Sequence, residues 1–207
     1  METANIQELA NKCNRKLGEA FGFSLENIGI KIAETRAEYD KIVGRKTESW
    51  QIASAQDGLI SIVSPSIWDQ EGAHKVSELE QALTHEVVHL YVEKLAPGKK
   101  VPSWLNEGLA GYLSDQHKKI TNGFCIENFT QVLGSYQGFI QYSKAGAYSM
   151  SFLFVAYLIQ NFGLGKIKEL LGKLNNFYYY DRFSKQFSEV FGTNLLDVEK
   201  DFLESLD

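Results

Sequence analysis

The feature that most restricts how this chain can fold is the string THEVVHL at residues 84–90. It lies within residues 77–95, where apolar residues recur at helical spacing before Pro97-Gly98 ends the pattern. Residues four apart in an α-helix share one face and are about 6 Å apart along the axis. The sequence therefore predicts that the imidazoles of His85 and His89 reach one metal ion.

Periodicity predicts helices before and after a group of short strands. The predicted strands cover residues 27–33, 50–54 and 59–64, and the last two form a hairpin through Gln56-Asp57-Gly58. Residues 123–138 are ambiguous. Helices are predicted over residues 1–21, 35–43, 77–95, 102–115, 148–162, 164–174, 177–191 and 195–206. This order of elements predicts an α+β fold with a helical second half.

A catalytic zinc ion takes three protein ligands and leaves one position open for water, so a third ligand is needed. Glu93 follows on the same helix and is predicted to face solvent, while His74 and His117 are predicted to be surface histidines. Glu107 lies in WLNEGLAGYL, residues 104–113, on the next predicted helix. An antiparallel helix there can direct its carboxylate toward the two imidazoles.

HEVVH followed by NEGLA resembles the gluzincin zinc metallopeptidases of the peptidase MA-like superfamily, and is distantly similar to the catalytic domain of alanyl aminopeptidases. The 17 residues that separate His89 from Glu107 are close to the spacing in that family. The resemblance implies that one Zn²⁺ ion is held by His85, His89 and Glu107, with Glu86 as the general base.

The resemblance also implies a fold. We expect a single thermolysin-like domain, with a small mixed sheet and helices in an N-terminal lobe and mostly helices in a C-terminal lobe. Residues 1–96 would carry the HExxH helix, residues 97–207 the third ligand, and an active-site cleft would separate the lobes. The N-terminal helix has no counterpart in this resemblance.

Residues 148–163, YSMSFLFVAYLIQNFG, are similar to the aminopeptidase segment that begins with a catalytic tyrosine. In that family the hydroxyl stabilises the tetrahedral oxyanion, which points to Tyr148. The usual Tyr-x-Lys-Gly start is missing here, and Tyr142-Ser143-Lys144 mimics it out of register, so Tyr142 is the second candidate. A packing stripe of aromatic residues with Tyr157 is the alternative.

Residues 54–65, SAQDGLISIVSP, resemble the strand that precedes the zinc helix in the same branch, where it is the edge that pairs with extended substrate. The relatives carry a Glu there that holds the free amine of the substrate. Gln56 occupies that position in this chain. The substitution favours an endopeptidase or a restricted peptidase over a classical aminopeptidase.

Composition excludes several other classes of protein. Lys and Arg number 21 against 26 Asp and Glu, a net charge of −5 that argues against a nucleic-acid partner. No stretch is long and apolar enough to span a membrane. The first twenty residues contain no apolar region of the kind that a secretory signal needs, so we expect a cytoplasmic protein. Cys13 and Cys125 are far apart in sequence and form no zinc motif.

The sequence thus predicts a zinc-dependent peptidase that acts on a peptide or protein substrate through a zinc-bound water activated by Glu86. One alternative is an inactive metal-binding relative that serves as a peptide- or protein-binding module. The other is a helical interaction protein without metal, with an aromatic surface at residues 177–180 and Phe183. Metal analysis separates the interaction protein from the peptidase and the inactive relative, because only the last two bind metal. The sequence leaves the oligomeric state open.

Overall fold

The computed structural model describes residues 3–71, 74–116 and 126–206, and it confirms the predicted α+β class. The described chain divides into two compact units, with the boundary between Tyr91 and Val92. The strands are β1 Gly29–Ala33, β2 Ala53–Gln56 and β3 Leu59–Val63. The helices are α1 Thr3–Phe21, α2 Arg36–Val43, α3 Trp68–Glu71, α4 Leu79–Leu95, α5 Ser103–Leu113, α6 Phe129–Val132, α7 Tyr136–Gln141, α8 Ala147–Phe162, α9 Leu164–Lys173, α10 Tyr180–Phe191 and α11 Leu195–Glu204.

The first unit contains a three-stranded mixed sheet in the order β1-β3-β2. β3 pairs in parallel with β1 and antiparallel with β2. The central strand carries the most apolar run, and Ile60, Ile62 and Val63 are fully buried. β3 is therefore not an edge strand, and the expectation of an edge along residues 54–65 is wrong for residues 59–63. An edge remains at β2.

The predicted hairpin is confirmed, with a turn of two residues. Asp57 and Gly58 have φ values of 52° and 75°, the pair of positive angles that a type I′ turn requires. Such a turn makes Gln56 and Leu59 the first pair of the antiparallel ladder. Because side chains alternate along a strand, the turn fixes which residues of β2 share each face.

β2 begins at residue 53, three residues later than predicted. Arg36 provides the physical reason, because its guanidinium donates hydrogen bonds to the backbone carbonyls of Ser49 (3.1 Å) and Gln51. The same side chain pairs with Glu71 and donates to the Thr47 hydroxyl. These carbonyls are thus occupied by a side chain and are not available to a strand ladder.

A buried polar cluster joins α1 to α4. The Tyr91 hydroxyl donates to the side-chain carbonyl of Asn14 at 2.6 Å, and the Asn14 amide donates to the Leu25 carbonyl at 2.8 Å. The rings of Phe21 and Tyr91 stack at 4.4 Å. The apolar residues that recur at helical spacing along α4 are buried, namely Leu79, Leu83, Val87, Leu90 and Tyr91. These contacts fix the helix that carries the histidine pair.

The second unit is helical in its described part, and its core is aromatic. Phe154 of α8 lies at the centre of this core, with ring contacts to Trp104 (5.2 Å), Phe129 (5.0 Å) and Phe202 (5.1 Å). The four rings come from α5, α6, α8 and α11. Aromatic pairs at such distances stabilise a core beyond the area that they bury.

Three expectations for the second unit need correction or completion. The ambiguous segment contains α6 and the first residues of α7, and α10 begins at Tyr180 rather than at residue 177. In the predicted aromatic run, Phe177 and Tyr179 are exposed while Phe183 is buried in the core. Cys125 and His117 lie outside the described residues.

No single helix in the described part of the chain combines the length and the apolar character that crossing a bilayer requires. The helices Ala147–Phe162 and Leu164–Lys173, bent by 108° at their junction, meet both criteria only when they are taken together.

Candidate metal centre

The histidine pair lies in the middle of α4, where the helix is regular. His85 and His89 are both half-buried, and their ring centroids are 4.7 Å apart with the rings nearly perpendicular at 83°. The four-residue spacing on one helical face accounts for this proximity. The sequence prediction that the two imidazoles lie together is therefore confirmed.

Glu107 lies in α5, and two glycines allow α5 to approach α8 closely. A Cβ at Gly108 would lie 2.4 Å from the Val155 side chain, and one at Gly111 would lie 2.2 Å from the Phe152 ring. Both distances are shorter than real Cβ contacts, so only glycine fits at this separation. The motif NEGLA thus supplies a carboxylate and, beside it, the small residue that sets the position of its helix.

The structure brings the three predicted ligands together. One imidazole nitrogen from each of His85 and His89 and one carboxylate oxygen of Glu107 all lie within 4.8 Å of one another. Two imidazoles and one carboxylate form the donor set of a catalytic zinc site, in which the fourth position stays open. All three side chains are partly exposed. The donor set therefore fits one zinc ion.

Glu86 lies between the two histidines in sequence and is more buried than either of them, with 8% exposure on α4. Tyr39 of α2 is within electrostatic range of its carboxylate. Burial raises the pKa of the Tyr39 hydroxyl to about 12, the hydrogen bond with Ser54 opposes this increase, and the charge of Glu86 adds to it. Tyr39 therefore remains a neutral hydroxyl at physiological pH.

Sequence reasoning did not identify Tyr39 or Ser54 as neighbours of the site. Tyr39 occurs in a short amphipathic helix, and Ser54 in a strand without chemical motifs. Their pairing depends on the packing of α2 against the sheet, which no local pattern encodes. No sequence signal was available that would have placed either residue near Glu86.

The predicted tyrosines lie at different places in the helical unit. Tyr148 is in the first turn of α8, half-buried, with its ring edge-on to Phe139 at 4.8 Å. Tyr142 follows α7, and its backbone carbonyl accepts a hydrogen bond from the amide of Ala147. Tyr157 packs against Phe202 at 5.5 Å, far along α8 from Tyr148. The roles of Tyr148 and Tyr142 remain predictions.

Gln56 ends β2 beside the turn, is exposed, and donates from its amide to the Asp57 carboxylate at 3.1 Å. Its predicted contact with substrate remains a prediction. His74 binds the Glu78 carboxylate and the Trp50 carbonyl through its two ring nitrogens, so it is half-buried in a local network. Glu93 is exposed, as its place on α4 predicted.

Comparison with known proteins gives one match. A family model described as the Peptidase MA superfamily matches residues 70–206, which is about two thirds of the chain. The matched region includes α4 with its histidine pair and α5 with Glu107. No curated protein and no solved structure matches the chain significantly.

Proposed function

Because this chain belongs to the peptidase MA superfamily, we propose that it is a zinc-dependent metallopeptidase of the gluzincin type. The observation that carries the proposal is the convergence of His85, His89 and Glu107, whose ligand atoms lie within 4.8 Å of one another. When bound there, zinc lowers the pKa of a coordinated water to about 7 and polarises a carbonyl oxygen.

In this proposal each residue of the candidate site has a separate role. His85 and His89 act as neutral imidazoles, and Glu107 adds a negative charge to the site. Glu86 accepts a proton from the attacking water and returns it to the nitrogen of the leaving amine. The Tyr148 hydroxyl, or the Tyr142 hydroxyl in the second assignment, donates to the oxyanion of the tetrahedral intermediate.

The free edge of β2 supplies a place for an extended substrate. Gln56 pairs with Leu59, and the amide of Val63 donates to the carbonyl of Ile52 at 2.8 Å. Hydrogen-bonded pairs alternate along an antiparallel ladder, so the backbone groups of Ala53 and Ala55 point away from β3. We expect a substrate strand to pair with these two alanines by β-augmentation.

The exposed amide of Gln56 carries no negative charge with which to hold a free amine. We therefore expect an endopeptidase or a restricted peptidase, which would cleave an N-acetylated peptide about as well as the same peptide with a free amine. Cleavage confined to peptides with a free N-terminus would contradict this specificity.

Metal content measured by mass spectrometry, together with hydrolysis of a broad peptide library, tests the proposal. We expect about one zinc per chain, lost or much weakened in Glu107→Ala. Glu86→Gln should keep the zinc and lose activity by about 10²–10⁴-fold, the usual contribution of a general base. Glu80→Gln, an exposed change on the same helix that breaks only a surface pair with Lys12, is the matched control and should remain active.

Each other outcome has a definite meaning. Full activity in Glu86→Gln would refute the role of Glu86 as the base. Bound zinc without turnover of any peptide would support the alternative of an inactive binding module. A wild-type chain that takes up no zinc after addition of the metal would refute the metal centre and favour an interaction protein.

A further inference from the structure

We propose that Glu199 and Thr130 are positioning residues for the metal centre, because they fix the segment whose carbonyl groups hold the start of α5. The inference rests on the proposed function, since its consequence is the placement of Glu107. Neither residue belongs to the ligand set, and neither carries a motif in the sequence. Every contact in the argument lies within the second unit.

Glu199 is a carboxylate buried to 3% exposure on α11. It accepts hydrogen bonds from both the amide (3.3 Å) and the hydroxyl of Thr130. Burial raises the pKa of Glu199, while Thr130 and the backbone amides of Phe129 and Asn128 oppose that increase by stabilising the charged form. A buried charge persists only when such donors compensate for lost hydration.

The donors come from three consecutive residues at the start of α6. Asn128 has a φ of 55°, in the left-handed region that asparagine adopts more often than most residues with a Cβ. That conformation is compatible with three successive amides that act on one carboxylate. Glu199 thus stabilises the backbone geometry of residues 128–130 by accepting from their amides.

The segment held by Glu199 in turn holds α5. Helix α5 follows Pro102, which provides no side-chain cap for the first amides of the helix. The carbonyls of Gly134 and Leu133 perform that task instead, and accept from the amides of Ser103 at 3.0 Å and Trp104 at 3.2 Å. The first two amides of α5 are therefore satisfied by the two residues that follow α6, while the amides of Leu105 and Asn106 donate to the Pro102 carbonyl.

Glu107 lies about one turn beyond these two amides. A shift at the start of α5 displaces the first turns of the helix, and the Glu107 carboxylate moves with them. In the same turn the ring of Trp104 contacts Phe154 at 5.2 Å. Loss of outer contacts that orient a metal ligand commonly weakens metal affinity by about 10–100-fold. We expect an effect of that size when the link from Glu199 to Thr130 is broken.

The test compares Thr130→Val, which removes the hydroxyl donor, with Thr130→Ser, which retains it. Val198→Ala is the matched control, because Val198 is buried beside Glu199 on α11 and its truncation destabilises the core without touching the hydrogen bonds. Two quantities are measured for each variant: zinc affinity by competition with a chelator, and amide hydrogen exchange of residues 103–107 in metal-free protein.

Thr130→Val should weaken zinc binding by about 10–100-fold and accelerate exchange at residues 103–107, while Thr130→Ser restores both properties. Val198→Ala should lower thermal stability and leave zinc affinity unchanged. If Thr130→Val and Val198→Ala are alike in both readouts, Thr130 contributes to global stability alone and the inference is wrong. Absence of zinc binding in wild type would overturn the proposed function, whereas the exchange data decide by themselves whether this link holds α5.

Discussion

At the scale of single residues, the candidate site separates groups by burial. The two histidines and Glu107 are partly exposed, whereas Glu86, which lies on the helix of the histidines, is buried. Ligands need access for water and substrate, while a base gains from a site in which solvent competes less for its proton. The neutral Tyr39 hydroxyl, with a pKa of about 12, adds no second negative charge near that base.

The assignment of the oxyanion donor is tested at this scale. Tyr148→Phe should lower kcat by about 10²–10³-fold, the usual effect of removing one such donor. KM should change less, because the contact forms mainly in the transition state. Steady-state kinetics on one peptide substrate measures both constants.

Two further tyrosines serve as comparisons for this experiment. Tyr157→Phe on the same helix preserves the ring contact with Phe202 and should behave like wild type. If Tyr142→Phe lowers kcat and Tyr148→Phe does not, the donor is Tyr142. The alignment of residues 148–163 with the aminopeptidase segment would then be wrong at its start. A rise in KM alone for Tyr148→Phe would exclude the oxyanion role.

At the scale of elements, the distance between α5 and α8 decides where the third ligand lies. Gly108 and Gly111 face α8 on successive turns of α5, and side chains of α8 fill the space that a Cβ would need. Such close contact transmits any change in α8 to the helix of Glu107, because packed interiors leave little free volume.

Gly108→Ala should destabilise the fold by about 1–3 kcal/mol, the typical cost of overpacking. The new Cβ would lie 2.4 Å from Val155 and 2.5 Å from the carbonyl of Ser151, so α5 must move. Chemical denaturation measures the loss, and zinc titration measures the accompanying fall in affinity.

Gly172→Ala is the control for this substitution. Gly172 lies in α9 with no atom near its hypothetical Cβ, so alanine should stabilise the helix by about 0.5–1 kcal/mol. Equal effects of the two substitutions would show that helix propensity, and not the contact between α5 and α8, determines the cost at Gly108.

At the scale of the whole molecule, buried polar clusters connect elements that are distant in sequence. Asn14 and Tyr91 join α1 to α4 in the first unit, and Glu199 and Thr130 join α11 to α6 in the second. The Glu199 cluster has a consequence for global stability, because burial raises the pKa of its carboxyl group above the ordinary value.

A raised pKa in the native state determines the sign of the pH dependence of stability. Between the ordinary pKa and the raised one, the native state binds more protons than the unfolded chain. The free energy of unfolding therefore falls as pH rises through that window. Glu199→Gln has no proton to lose at this position, so the stability of the variant relative to wild type should increase across the window and become constant above it.

Denaturant unfolding of both proteins from about pH 4 to about pH 8 measures this difference. Val198→Ala, a neutral change on the same helix, should show a difference from wild type that is independent of pH. A constant difference for Glu199→Gln as well would contradict the assignment of the raised pKa to Glu199.

The long helices, the proximity of His85 to His89 and the turn at Asp57-Gly58 could be predicted from the sequence, whereas the short helices α3, α6 and α7 were not. Each of the predicted features depends on residues that are neighbours in the chain, so helical period and turn chemistry encode them directly. The motif NEGLA also identified Glu107 as the expected third ligand, although spacing alone could not show that its carboxylate approaches the two imidazoles.

Features that depend on residues distant in the chain became visible only in the folded structure. It placed β3 at the centre of the sheet, delayed β2 through the hydrogen bonds of Arg36, and brought Tyr39 near Glu86. It also coupled Glu199 to the start of α6. These contacts join segments far apart in sequence, and a periodic pattern states which face of an element is buried but not which partner covers it.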